Sequence, residues 1–338
     1  MNKVCAFVFL SVLLAVPAAS ADGPAWPEYR LRGMNIVTRI TQEDLDHYVD
    51  NWRANSVRIL TNSLLPPPPE KTDPERLERV YRTIDMCLDK GLYTVLSFSA
   101  AFEDNNRFFS NQAYMDSYVE LWRTIVTRYA DDRRGVAWDL MNEPHDSLAN
   151  TQWLPFAKKL TAAIREIDTL HTIVVEPPGW GWPYGFEHLE PTGDANTVYS
   201  FHFYGPMDFT HQRNGGMLKA TEEQWHERSY PGHIQGEFWD TATLERHLQA
   251  AFRWRDKYKA RIWCGEFGCT RWAIGAEDWI RDMVGILEAQ ETGWSWYSYR
   301  EWYAMDIEMN PKARLEKTER TDTGLVKFFK KMFLLDGN

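Results

Sequence analysis

The chain has 338 residues, of which 44% are hydrophobic and 25% are charged, and its formal net charge is −10 at pH 7. An acidic surplus of this kind argues against nucleic acids and anionic membranes as partners, and it fits a neutral substrate such as an uncharged sugar polymer. The length allows one large core, because α/β barrels of about 200–250 residues or more form single domains.

The first residues have the pattern of a secretory signal peptide. Lys3 provides a positive charge, an apolar stretch runs from Val4 to Val16, and a small-residue cleavage site ends at Ala21. The apolar stretch is shorter than the ~20 residues that cross a bilayer. We therefore expect residues 1–21 to be removed and residues 22–338 to form a secreted protein, extracellular or periplasmic, without a membrane partner.

Strand-like and helix-like segments alternate along the remaining chain. Short segments rich in β-branched and aromatic residues predict buried parallel strands at Arg30–Asn35, Ser56–Leu60, Tyr93–Phe98, Val136–Met141, Thr172–Val175, Thr197–Phe203, Arg261–Gly265 and Gly293–Tyr299. Helical periodicity and capping residues predict helices at Thr41–Ala54, Asp73–Lys90, Gln112–Ala130, Thr151–Asp168, Thr241–Lys259, Glu277–Glu288 and Gly324–Phe333.

Eight strands separated by helices predict an α/β fold, specifically a single-domain (β/α)₈ TIM barrel. A doubly wound open sheet is the alternative. It is disfavoured because no glycine-rich phosphate-binding loop follows the first strand candidate, and Arg32–Asn35 lacks the glycine spacing of such a loop.

Two glutamates follow apolar strand segments in the same way. Glu143 precedes Pro144 at the end of the fourth strand, and Glu266 lies between two glycines at the end of the seventh. In a parallel barrel both carboxyl groups open onto one face. A pair of carboxylates on one face is what cleavage of a glycosidic bond needs, one to give a proton and one to attack the anomeric carbon.

Polar and aromatic residues at other strand ends are candidate substrate-binding groups. Arg58 would stabilise a neighbouring carboxylate, Asn142 would bind a sugar 2-hydroxyl, and His202 and Tyr204 share one face of their strand because the side-chain period is two. Trp180 lies in a Gly/Pro-rich loop and would stack on a sugar ring. On the eighth strand the candidate is Trp296, with Tyr297 as the alternative, since only one of the two can face the site.

The ordered set of segments resembles glycoside hydrolase family 5, the cellulase family of retaining two-glutamate barrels. The matching segments are Arg32–Asn35, Asn55–Arg58, Asn142–Pro144, Phe201–Tyr204 and Gly265–Gly268. The resemblance implies a retaining endo-β-glycosidase with Glu143 as acid/base and Glu266 as nucleophile. It departs from the family pattern at Ser99, where members often have a histidine near the first sugar subsite.

The leading hypothesis is a secreted, monomeric endo-β-1,4-glucanase that needs no cofactor and no metal. A β-mannanase or another β-glycan specificity within the family is the alternative, and a carbohydrate-binding barrel without catalysis is a third hypothesis. For Cys264 and Cys269, which bracket Glu266, both a disulfide and free core thiols remain open.

Overall fold

The computed structural model describes residues 25–61, 64–100, 104–213, 226–313 and 316–335. The predicted signal peptide lies outside these ranges and stays a prediction. Among the described residues, no helix is both long and apolar enough to cross a membrane.

Eight parallel strands close into a barrel, which confirms the predicted α/β fold and excludes the open sheet. Each strand pairs with the next along the chain, and the last pairs with the first through Arg32 and Trp294. The barrel strands are β1 (Arg32–Ile36), β2 (Ser56–Thr61), β3 (Tyr93–Phe98), β4 (Val136–Asp139), β5 (Thr172–Val175), β6 (Thr197–Phe203), β7 (Arg261–Phe267) and β8 (Gly293–Trp296).

Helices connect the strands on the outside of the barrel. They are α1 (Gln42–His47), α2 (Pro74–Asp89), α3 (Asn105–Phe109), α4 (Gln112–Tyr129), α5 (Asp146–Arg165), α6 (Met207–Thr210), α7 (Thr241–Tyr258), α8 (Ala276–Ala289) and α9 (Gly324–Phe333). Thr41 caps α1 in a reciprocal capping box with Asp44, and Asp73 caps α2 ahead of Pro74. These local signals explain why both helix starts agree with the sequence.

Several connections differ from the predicted pattern, among them the one after β3, where α3 was not predicted. Helix α5 begins at Asp146, five residues before the predicted start, with the acidic side chain in its first turn. Negative charge is favourable at this end of a helix. Between β6 and β7 the described residues include α6 and a small antiparallel hairpin of Gly232–Ile234 and Glu237–Trp239.

The barrel interior has an apolar floor and a charged upper end. At the floor, the Trp26 ring packs edge-on against Tyr93 and Trp263, at centroid distances of 5.4 and 5.6 Å. The remaining floor residues are Leu31, Val95, Ala137, Val174 and Val198. The upper end contains almost fully buried charged residues at the carboxyl ends of the strands, namely Arg58, Asp139, Glu176, His202 and Glu266.

Candidate active site

The structure brings the two predicted glutamates together at the carboxyl end of the barrel. Glu143 follows β4 and Glu266 lies near the end of β7, and both approach His202. The His202 Nδ1 atom is 2.9 Å from Glu143 Oε1 and 3.8 Å from Glu266 Oε2, and the facing atoms of all three side chains lie within 4.8 Å of one another. Retaining glycosidases separate their carboxyl groups by about 5–5.5 Å and inverting ones by about 6.5–9.5 Å. The spacing therefore fits retention.

Both carboxylate oxygens of Glu266 are held by hydrogen bonds. Arg58 Nη1 donates to Oε1 at 2.5 Å, and the Tyr204 hydroxyl donates to Oε2 at 2.7 Å. Burial and the nearby Glu266 charge raise the pKa of Tyr204 well above its ordinary value, so this hydroxyl remains a donor. The Arg58 cation balances the negative charge of Glu266, and the two bonds fix the plane of its carboxylate.

Glu143 occupies a different environment. Its side chain is 16% exposed, and its backbone has φ 50°, in the left-handed region. Burial and the Glu266 charge raise the pKa of Glu143 to about 7, although the hydrogen bond with His202 acts in the opposite direction. A carboxyl group of this kind can carry a proton near neutral pH, as a general acid must.

Arg58 is the centre of the buried network. It is fully buried and donates to Asp139 Oδ2 at 2.9 Å, Asn35 Oδ1 at 3.1 Å, Asn142 Oδ1 at 2.9 Å and Glu176 Oε1 at 2.8 Å. Burial alone would lower the pKa of Arg58, but the surrounding carboxylates, Asp139 first, raise it. The predicted placement of Arg58 and Asn142 beside the glutamates is thus observed.

Two buried carboxylates of the site were missed by the sequence analysis. Asp139 pairs with Arg58 from the end of β4, and Glu176 follows β5 directly. Glu176 had a signal in the sequence, because Thr172–Val175 is an apolar strand followed by Glu-Pro, the same pattern that marks Glu143. Asp139 had none, since a carboxylate inside a strand could equally face outward.

Trp180, the predicted stacking platform, contacts the two residues that follow Glu143 in the chain, Pro144 and His145. Its indole ring stacks on the His145 ring with a centroid distance of 3.6 Å and an angle of 10°, and 39% of the residue is exposed. His145 Nδ1 is 2.6 Å from the Glu143 carbonyl oxygen, and the backbone N–H of Trp180 donates to the carbonyl of Pro144. An exposed aromatic ring is thereby fixed next to the group assigned as the acid.

The prediction that Trp296 contacts substrate is wrong. Trp296 is fully buried, packs against Phe267 and Phe329, and donates from Nε1 to the Met305 carbonyl. It therefore faces the helices, because alternation along β8 places its neighbour on the other side. Tyr297 is partly exposed, and the negative charges of Glu301, Glu266 and Glu143 add to burial in raising its pKa well above the ordinary value.

Ser99, Cys264 and Cys269 are all buried. Ser99 is 4% exposed and follows β3 at the position expected from the sequence. Cys264 and Cys269 are buried free thiols, so the disulfide considered for them does not form.

Within the described part of the chain, one cluster has the donor atoms for a metal ion, namely Glu143, His202 and Glu266. Both oxygens of Glu266 already accept hydrogen bonds, and His202 Nδ1 faces Glu143. The same atoms are arranged for proton transfer and nucleophilic attack between two carboxylates.

Comparison with known proteins identifies the family of this barrel. Residues 19–301 match the model of cellulase, glycosyl hydrolase family 5. The chain belongs to this family. The enzyme is therefore a glycoside hydrolase, as the facing carboxyl groups of Glu143 and Glu266 indicate.

A sequence relative agrees with this assignment, and solved structures share the fold. The enzyme is 27% identical over 260 residues to endoglucanase C of Acetivibrio thermocellus, covering 69% of this chain and 74% of the relative. Its fold is similar to that of the cellulose synthase subunit Z of Clostridioides difficile, with a TM-score of 0.73, 20% identity and coverage of 91% and 100% of the two chains. It is also similar to Thermotoga maritima Cel5A solved with mannotriose, with a TM-score of 0.71, 24% identity and coverage of 85% and 94%.

Proposed function

We propose that the enzyme is a secreted, monomeric, retaining endo-β-1,4-glucanase in which Glu143 is the acid/base and Glu266 is the nucleophile. The observation that carries the assignment is the contrast between the two carboxyl groups. Glu266 is held at both oxygens by Arg58 and Tyr204, whereas burial raises the pKa of Glu143 to about 7.

In the first step Glu266 attacks the anomeric carbon and the glycosidic C–O bond breaks. Glu143 transfers its proton to the leaving oxygen, so the leaving sugar departs as an alcohol and a glycosyl-enzyme ester remains. Asn142 is oriented through its Oδ1 by Arg58, which leaves its amide group to donate to a sugar hydroxyl.

In the second step a water molecule attacks the same carbon. Glu143, now a carboxylate, takes a proton from the water, and the ester bond to Glu266 breaks. Two inversions at one carbon give net retention. Trp180, beside Glu143, would stack on the sugar on the leaving-group side.

Glucan is favoured as the substrate because endoglucanase C is among the relatives with the highest coverage. The structure of Thermotoga maritima Cel5A with mannotriose, together with Ser99 in this chain, makes mannan the specific alternative. Product release from carboxymethyl-cellulose, mixed-linkage β-glucan, xyloglucan and mannan measured in parallel separates them. Activity confined to mannan would overturn the glucanase proposal.

Azide rescue tests the two catalytic roles. With an activated aryl β-glycoside, Glu143→Ala should yield a β-glycosyl azide, because azide enters where the deacylating water normally attacks. Glu266→Ala should yield the α-glycosyl azide, because azide then replaces the nucleophile itself. If both variants hydrolyse aryl glycosides as slowly as the wild type does, the chain is a binding barrel instead.

A further inference from the structure

Glu176 contacts Arg58, which holds the proposed nucleophile, and the backbone of Glu143, the proposed acid. Glu176 is fully buried. Its Oε1 accepts from Arg58 Nη2 at 2.8 Å, and its Oε2 accepts from the backbone N–H of Glu143 at 2.9 Å. Oε1 also lies at ion-pair distance, 3.3 Å, from His202 Nε2.

The bond to the Glu143 backbone bears on the conformation of the acid. Glu143 has φ 50°, in the left-handed region that is unfavourable for a residue with a side chain. Its N–H points to Glu176 Oε2, so removing that acceptor would leave a donor unpaired inside the protein. Glu176 thus favours the backbone turn that aims Glu143 at the cleft.

His202 lies between two carboxylates. Its Nδ1 is 2.9 Å from Glu143 Oε1 while its Nε2 is 3.3 Å from Glu176 Oε1. Among the described residues His202 Nε2 makes no hydrogen bond, so its contact with Glu176 is electrostatic. An imidazolium is attracted to both carboxylates, whereas a neutral ring carries no charge to hold it between them. Burial alone would lower the pKa of His202, but the charges of Glu176 and Glu266 raise it well above the ordinary value.

The loop after β5 closes over this contact. A Cβ atom at Gly181 would lie 2.9 Å from Glu176 Oε2 and 3.2 Å from His202 Cγ, and Gly181 has φ +68°. Its carbonyl accepts the backbone N–H of His202 at 2.8 Å. Glycine is therefore required here for close approach of the backbone to the pair.

We propose that Glu176 is a positioning residue for the general acid, which holds the backbone of Glu143 and fixes His202 between two carboxylates. The proposal rests on the proposed function, in which Glu143 protonates the leaving group. As Glu143 gives up its proton, the His202 cation stabilises the carboxylate that forms, and Glu176 keeps that cation in place.

The test uses substrates that differ in their need for an acid. Aryl β-glycosides of the sugar found active, with phenol or 2,4-dinitrophenol as the leaving group, are compared by kcat/KM, which reports the first chemical step. In Glu176→Gln one amide oxygen cannot replace two carboxylate acceptors. We expect about a 10- to 100-fold loss with phenol and less than about threefold with dinitrophenol, since general acid catalysis supplies about 10²–10⁴-fold when it is needed.

A buried carboxylate at the other end of β5 provides the matched control. Asp168 also neighbours a histidine and a tryptophan, at 2.8 Å from His171 Nδ1 and 2.6 Å from Trp138 Nε1. Asp168→Asn should leave both substrates unaffected. Equal losses of Glu176→Gln on both substrates, or no loss on either, would overturn the proposal.

Two further variants keep the outcome decisive. If Glu176→Gln fails to fold, Glu176→Asp retains the charge but withdraws it from the Glu143 N–H, and the same substrate dependence is expected with a smaller loss. Glu143→Gln is measured on the same pair of substrates. If its losses do not depend on the leaving group, then the proposed acid is wrong; if they do and those of the Glu176 variants do not, only the positioning role fails.

Discussion

Strand β5 has a buried carboxylate at each end, and their surroundings differ. Asp168, before the strand, accepts from His171 Nδ1, Trp138 Nε1 and the backbone N–H groups of Leu170 and His171. Burial acts to raise the pKa of Asp168, but the hydrogen bonds and charge of His171 lower it to about 2. Glu176, after the strand, shares its donors with other acids.

The difference shows where the barrel gives up stability for chemistry. Before β5, one carboxylate has several donors of its own. At the catalytic end four carboxylates surround two cationic groups, and burial raises the pKa of Glu143 to about 7 and that of Asp139 to about 8. The catalytic cluster consists of Asp139, Glu143, Glu176, Glu266, Arg58 and His202. Such a surplus of buried acidic groups lowers the stability of the fold. It is retained where the function of the enzyme requires it.

Removing Arg58 should have the largest effect. Arg58→Met leaves several buried carboxylates without their cation, so we expect the free energy of unfolding to fall by about 3–5 kcal/mol and activity to fall by about 10³-fold or more. Denaturant unfolding and aryl-glycoside kinetics measure both. Arg134→Met removes a half-exposed arginine that pairs with Asp132. This variant should lower the free energy of unfolding by about 1 kcal/mol or less. Equal losses of stability in the two variants would contradict the role of Arg58 in balancing the buried carboxylates of the catalytic cluster.

Removing the Asp168 carboxylate should cost stability alone. Because the pKa of Asp168 is about 2 in the folded protein and 3.8 ordinarily, its ionisation stabilises the fold by about 2 kcal/mol above pH 4, and this is lost as the pH falls toward 2. Asp168→Asn should therefore lower the free energy of unfolding by that amount at pH 7 and by less at pH 3, with kcat/KM within about twofold of wild type. A large loss of activity in a folded variant would erase the contrast between the two ends.

Glu143 should show the opposite dependence on pH. Its pKa is raised from 4.5 to about 7 on folding, so the protein loses stability as the pH rises through that range. We expect Glu143→Gln to stabilise the enzyme relative to wild type by about 1–2 kcal/mol more at pH 8 than at pH 5, after allowance for the partial exposure of the side chain. The basic limb of the wild-type pH profile of kcat/KM should lie near pH 7. If the difference in stability between Glu143→Gln and wild type does not change with pH, the pKa of Glu143 is not raised.

The smallest expected effect is at the exposed rim of the catalytic end. Trp180→Ala should raise KM for the polymer about 3- to 10-fold, corresponding to a loss of about 1 kcal/mol of stacking, and should leave the melting temperature almost unchanged. Tyr184 is the control, because it is 55% exposed in the same loop but lines a groove with Trp254 and Tyr258 on α7. If Tyr184→Ala weakens binding as much as Trp180→Ala does, Trp180 has no special place in the cleft.

The barrel and the catalytic pair could be predicted from the sequence because both depend on strong local patterns. Strands β3, β5 and β6 have the predicted limits, since each is a short segment rich in β-branched or aromatic residues. Glu143 and Glu266 stand where such segments end. Glu176 stands at a segment of the same kind, and applying the same rule there would have found it.

The rest depends on information that local patterns lack. The segment Trp294–Tyr297 puts aromatic residues on both faces of an extended chain, so alternation alone could not decide whether Trp296 or Tyr297 faces the site. The decision comes from α9, whose Phe329 and Phe333 pack against Trp294 and, in the case of Phe329, also against Trp296. The role of Asp139 likewise depends on Arg58, a partner 81 positions away in the chain.

The reactivity of the three free cysteines in the described residues can be used to measure local unfolding. Cys87, in α2, and Cys264 and Cys269, on either side of Glu266, are buried, and burial raises the pKa of each thiol. A thiol must be exposed and ionised to react with an alkylating reagent. The rate at which Cys264 and Cys269 are labelled would thus report local unfolding around β7, which carries the nucleophile. The rate at which Cys87 is labelled would report local unfolding of α2. Mass spectrometry can follow both rates without an introduced probe.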